Sequence, residues 1–287
     1  MSNKRSQIVP SFRSSAKWLA SRCFRSCTII LLVLTISLSA FSQSSGSSSS
    51  GGAPRRDPQA IAAVEQALDA LGNKTAYLHV HTIVIRGNIQ TVDGQAISSF
   101  LWEDDLSGKI PEFRKEIRSG NSVALLVSGH GTPSQHRDGR QRQLPVQVAL
   151  ALPPFYVPGV VLTRQLNNPT YSFQLVDDAD GLIHVRTSWQ LNLGTASVSV
   201  QDWYFSTNTK LPVRVQYVLP NSEKPSQLKP VFLEFSDFRT VTASGIAIPF
   251  SMIGHGVNQQ IRKFAVTEAQ INTPIDSNHF EMNGGQQ

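Results

Sequence analysis

The chain has 287 residues, with 26 Lys and Arg, 20 Asp and Glu, and two cysteines, and its isoelectric point is near 9.5. Eight of the basic residues but a single acid, Asp57, fall within residues 1–57, so the remainder carries 18 basic against 19 acidic residues. A phosphate-gripping face needs concentrated basic charge, so nucleic acid is excluded as the expected partner. Cys23 and Cys27 both lie near the N-terminus, which leaves the rest without a disulfide, a thiol nucleophile or a Cys-based metal site.

Residues 1–42 read as a signal peptide. Lys4, Arg5, Arg13, Lys17, Arg22 and Arg25 make a basic leader, and Ile29 to Ala40 is a short apolar or small-residue run. Ala40 and Ser42 suit the positions flanking a cleavage site, which places cleavage after Ser42. The alternative is an uncleaved anchor, although the apolar run falls short of the roughly 20 residues that span a bilayer. The expected location is therefore the periplasm or the exterior, with membrane association peripheral at most after cleavage. Residues 43–57 are Ser- and Gly-rich up to Pro54 and read as a flexible linker.

A helix is predicted from Asp57. Asp57 serves as the cap, Pro58 suits the first turn, and Gly72 stops it; Ile61, Val64, Leu68 and Leu71 share one face. Strands follow, rich in β-branched and aromatic residues: 77–85, 97–102, 113–118, 123–128, 170–176, 182–193, 196–205, 212–219, 231–241, 246–254 and 259–271. Ser119-Gly120-Asn121 reads as a hairpin turn, and other turn signals separate the later runs. Residues 129–143 read as a polar mobile loop, and 144–152 as a short buried helix starting near Pro145. The fold class is thus mostly β (α+β), with one large curved antiparallel sheet or incomplete β-barrel, an N-terminal helix and a short helical plug. Residues 58–282 form the single folded domain, and 283–287 a disordered tail.

The C-terminal half carries a family resemblance. Tyr204-Phe205-Ser206-Thr207-Asn208-Thr209-Lys210-Leu211-Pro212-Val213-Arg214-Val215 is a strand, a tight turn and a strand opening on Leu-Pro. Phe235 to Val241 then leads through Gly245 to Ile246-Ala247-Ile248-Pro249, and Val266 to Asn272 precedes Ile275-Asp276 and Phe280. Upstream, the opening helix, Pro111 to Ile117 and the strand from Val123 to Gly129 fall in the same order. The succession, over residues 57–282, resembles the outer-membrane lipoprotein-sorting proteins, the LolA/LolB-like superfamily. That resemblance implies an incomplete barrel wrapped round helices, with an apolar cavity for acyl chains. The Ser-rich linker and the polar segment 129–143 depart from the carriers of that superfamily.

Residues of catalytic type give no arrangement that names a reaction. His79 and His81, two apart on a predicted strand, would share a face, but a metal needs three or four ligands. His130, His136 and Asp138 share the polar segment, where glycines flank turn residues. The acids Glu103-Asp104-Asp105 and Asp177-Asp178-Asp180 read as solvated strand ends. No catalytic residue, metal ligand or cofactor is expected, and the protein is not expected to be an enzyme. The inward apolar positions carry the functional expectation: Val80, Phe100, Trp102, Leu125, Phe173, Trp189, Leu191, Trp203, Phe235 and Phe250, with Ile83, Val123 and Phe232 in the same set, would line a cavity for a lipid or other amphipathic ligand. The same residues would equally fill a packed core, and the alternative function is an envelope protein-interaction module; a hydrolase using the 129–143 segment is a third.

Overall fold

The computed structural model describes residues 54–282 except 73, 92, 109, 138, 178–180, 190–198, 221–226, 243 and 257–260. The proposed signal peptide, most of the linker and the C-terminal tail therefore lie outside the described residues, as do Asp138, Asp178, Asp180 and Leu191.

Helix α1 (Pro58–Ala70) starts where the Asp57 carboxylate accepts the Gln59 amide at 2.9 Å, with Pro58 in the first turn. Its buried face is made of Ala60, Ala63, Val64, Ala67 and Leu68. The alanines widen the stripe expected from the larger residues and let the helix sit close on its neighbours, while Ile61 stays half-buried. The segment after α1 differs from expectation. Lys74–Leu78 is a helical turn, α2, and strand β1 (Thr82–Gln90) begins only after it. The fully buried Tyr77 ties α2 down, its hydroxyl donating to the carbonyls of Leu71 and Ala247 at 3.1 and 3.0 Å.

From β1 the chain meanders outward through β2 (Ala96–Asp105), β3 (Glu112–Ser119), β4 (Ser122–Gly129), β5 (Thr132–Arg137) and β6 (Arg140–Gln143). The expected loop at 129–143 is thus the β5–β6 hairpin. Its side chains are polar on both faces, but its backbone pairs continue the ladder from Gly129↔Thr132 to Arg137↔Arg140. His130 turns the corner with a positive φ of 52°. After β6 come α3 (Val146–Leu150), close to the predicted helix, and then α4 (Pro158–Asn167), which the sequence reading did not anticipate. The chain re-emerges as β7 (Tyr171–Val176) and returns through β8 (Leu182–Trp189), β9 (Gln201–Ser206), β10 (Pro212–Pro220), β11 (Leu228–Val241), β12 (Ile246–His255) and β13 (Ile261–Ile271).

The result is one 13-stranded sheet in which every neighbouring pair is antiparallel and consecutive in sequence except β1 and β13. Those two meet mid-sheet, so the chain leaves from the centre to one edge, β6, and restarts at the other edge, β7. The crossover between the edges is α3–α4, which explains why α4 is buried from Pro158 to Thr163 and again at Gln165. A sheet this long must curl to bury one face, and α1, α2 and α4 fill the resulting concavity with Val157, Val160, Leu162, Phe173, Trp203 and Phe205. The sheet remains open, because β6 and β7 each have one strand neighbour among the described residues. This is the mostly-β incomplete-barrel class that the sequence implied. No helix among the described residues is long and apolar enough to cross a membrane.

Candidate functional site

Helix α1 packs on β7 and β8, and α4 on β12. A cleft of about 790 Å³ lies between the wing β2–β5 and the wing β10–β13. Strand register builds one wall. Trp102 is paired with Lys115, Lys115 with Leu126 and Leu126 with Gln135, so one row across four strands faces the cleft. Ile117 and Ala124, also paired, form the next row. The facing wall is Tyr217, Leu219, Val231 and Leu233, with Phe264 beside Trp102 at 5.1 Å between ring centroids.

The floor is the segment Leu152–Tyr156 that joins α3 to α4. Adjacent aromatics on it reach to both walls: Phe155 stacks on Tyr217 at 4.1 Å and Tyr156 lies against Trp102 at 4.7 Å. The polar members of the lining include Lys115, Gln135, Arg137, His255 and Arg262, and no Asp or Glu occurs among the described lining residues.

Within the Trp102 row, Lys115 forms a buried ion pair with Asp104, two residues further along β2. Asp104 and Lys115 project to the same side, and the Lys115 Nζ is 3.8 Å from Asp104 Oδ2. Asp104 is 1% exposed and Lys115 is 16% exposed at the side chain. Burial pushes the Asp104 carboxyl up to about 7, against the opposing pull of Lys115 and with the help of Glu103 next to it. Burial also lowers the pKa of Lys115, with Asp104 opposing. The ammonium stands over the Tyr156 ring at 4.5 Å and near those of Phe113 and Trp102. Glu103 is also buried, on the other face of β2, where His279 approaches it at 3.3 Å. The acidic run does close β2, which ends at Asp105, but Glu103 and Asp104 are buried rather than solvated.

The predicted cavity residues separate into four groups. Trp102 lines the cleft, and Leu125, Val123 and Phe232 border it from the alternate strand rows, paired with Glu116, Arg118 and Gln216. Phe100 packs behind Trp102 at 4.5 Å and over Gly87, where a Cβ would meet its ring. Val80, Phe173, Trp203 and Phe235 belong to the packed core, Phe235 stacking on Trp203 and Phe173 lying under Arg56. Trp189 stacks on Tyr171 and Phe250 is half-buried beneath Arg239, both away from the cleft lining. Lys115, Tyr156, Tyr217 and Phe264 were not singled out from the sequence. The spacing of Phe100, Trp102 and Asp104, alternate positions of one strand, was the available sign that the acid points inward.

The histidines do not assemble. His79 follows α2 and His81 precedes β1, both exposed rather than on a strand. His130 is 84% exposed at the side chain, next to Glu112. No group of three or more His, Cys, Asp or Glu among the described residues is placed to hold a metal. A second cleft, of about 760 Å³, lies on the outer face of β1–β3 and is lined by Arg86, Arg114, Arg118, Glu103, Glu116 and His279. Within it Arg114 and Arg118 both bind the Glu116 carboxylate, and His279 approaches Glu103.

No family model and no curated protein matches the chain. Among solved structures, the chain is similar to a domain assigned to outer membrane lipoprotein sorting from Vibrio parahaemolyticus, over 77% of this chain and 98% of that one, at 10% identity and a TM-score of 0.45. A DUF1329 family protein from Desulfovibrio piger aligns over 77% and 96% at 14% identity, TM-score 0.44. A LolA superfamily protein from Nitrosomonas europaea aligns over 77% and 97% at 9% identity, TM-score 0.43.

Proposed function

We propose that this is an exported envelope protein, a carrier or sensor rather than an enzyme, that binds a lipid or other amphipathic ligand in the cleft between its two wings. The observation that supports the reading is the cleft itself. It lies within the roughly 300–1,000 Å³ of small-molecule sites, and aromatic and aliphatic side chains from both wings and the α3–α4 segment form most of it. Withdrawing alkyl surface from water contributes about 0.8 kcal/mol per methylene, so a long chain binds there without polar contacts. Export is proposed from the basic leader and apolar run of residues 1–42, with cleavage after Ser42.

Native mass spectrometry of the protein purified from a membrane-bearing host, followed by solvent extraction, tests this. The expected result is a discrete mass increment that extracts as lipid. A bare protein mass, with no uptake of added phospholipid or fatty acid, would overturn the reading and favour an envelope protein partner instead.

A further inference from the structure

The cleft contains polar groups that an alkyl chain alone leaves unused, and they are donors. Lys115 Nζ has three hydrogens to give, yet its acid, Asp104, stays at 3.8 Å, beyond hydrogen-bonding range. The Tyr156 hydroxyl, in a residue 4% exposed, finds no hydrogen-bond partner among the described residues. Lys115 stands over the Tyr156 ring, so the two donors share the junction of the β2–β5 wing with the floor. Charge in the rest of the lining points the same way, since it includes the basic residues Arg137 and Arg262 and no Asp or Glu among the described residues, while His255 faces Glu234 at 3.5 Å.

Resting on the cleft reading and deepening it, we propose that the ligand is a long-chain carboxylate, seated with its head group on Lys115 and Tyr156 and its alkyl chain along Trp102, Ile117 and Leu126. A carboxylate accepts from both donors, and a hydrogen bond from an ammonium to a carboxylate is short and about twice as strong as a neutral one. The flat ring of Trp102 and the branched side chains of Ile117 and Leu126 offer a continuous apolar surface to the chain. Leaving either donor unfilled in such surroundings costs free energy. The site therefore discriminates against a neutral ligand of the same length, not only against a shorter one.

Isothermal titration of the protein with dodecanoate, dodecanol and dodecyltrimethylammonium tests the proposal at constant chain length. Dodecanoate is expected to bind about tenfold or more tightly than dodecanol, with the cation weakest. In Lys115→Met the gap between acid and alcohol closes, because dodecanoate loses more affinity than dodecanol. Tyr156→Phe, which keeps the ring and its packing, weakens dodecanoate more than dodecanol. Equal affinity of the wild-type protein for acid and alcohol, or a gap that persists in Lys115→Met, overturns the carboxylate assignment and leaves the cleft reading intact. Dodecanoate binding that is unaltered in Tyr156→Phe overturns the head-group placement. Binding of none of the three overturns the cleft reading, and this inference with it.

Discussion

Tyr77 and Gly159 approach so closely that a Cβ on residue 159 would lie 2.4 Å from Cε1 of the tyrosine ring. This contact joins α2 to α4 and fixes the crossover helix against the sheet, because the Tyr77 hydroxyl reaches on to the Ala247 carbonyl in β12. Burial raises the pKa of that phenol, so it remains a donor throughout the accessible pH range.

Gly159→Ala is accordingly an overpacking change in a site where neither partner has room to retreat. Such insertions cost about 1–3 kcal/mol. Urea titration should show a lower midpoint with an unchanged slope. A midpoint equal to that of the parent protein would mean that α4 shifts freely against α2.

Arg56 offers a second stability test, at the opposite end of α4. Its guanidinium donates to the carbonyls of Leu166, Asn168 and Tyr171 and covers the Phe173 ring at 4.9 Å. Arg55 and Arg56 thus run beside β7, with Phe173 N donating to Arg55 O, although composition alone places them in the linker. Hydrogen bonds from charged donors contribute about 1.5–3 kcal/mol, so Arg56→Ala should destabilise by an amount in that range. Arg56→Lys should recover only part, since an ammonium lacks the planar fork that spans several acceptors. Full recovery by Lys, measured by thermal melting, would reduce the contact to charge alone.

The elements that were legible before the structure are those with a local cause. Asp57-Pro58 announces α1, Ser119-Gly120-Asn121 announces the β3–β4 turn, and β-branched runs announce the strands of the C-terminal half. Helix α4 was hidden for two reasons. Val160, Val161 and Thr163 are poor helix formers, and burial on nearly every side removes the polar face that would mark a helical period. The β5–β6 hairpin was hidden because neither of its faces is apolar, which leaves no alternation of period two. At the site, Trp102 was visible as an inward apolar residue, but Val80 and Trp203 carry the same signature and sit in the core. What separates them is where the Leu152–Tyr156 segment crosses the concavity, a long-range fact that no local pattern encodes.

Asp104 predicts a pH dependence of stability. The unfolded carboxyl titrates near 3.9, whereas burial holds the folded one near 7. The groups acting on it are Lys115 on β3 and Glu103 on its own strand. Between about pH 4 and pH 7 the folded protein retains a proton that the unfolded chain releases, so this residue's contribution to stability falls as pH rises across that window. Asp104→Asn should flatten that fall while lowering stability overall through loss of the partner of Lys115. Denaturation midpoints at pH 5 and pH 7.5 decide it; the same difference between the two pH values in wild type and variant would exclude Asp104 as its source.

The sharpest test of the cleft is to fill it. Ala124 lines the cleft on β4, paired with Ile117 and beside the row that carries Lys115 and Leu126. An indole at this position projects into the open space rather than into packed core, because Ala124 is only half-buried. Ala124→Trp should therefore cut lipid uptake about tenfold by excluding the chain from the surface that supplies its binding energy, while the thermal midpoint changes little. Arg118→Ala, on the outer-face cleft of β1–β3, serves as the control and should leave uptake unchanged. If a folded Ala124→Trp protein takes up lipid as well as the parent, the ligand does not occupy the space between the wings; if Arg118→Ala is the variant that loses uptake, the outer face is the binding surface.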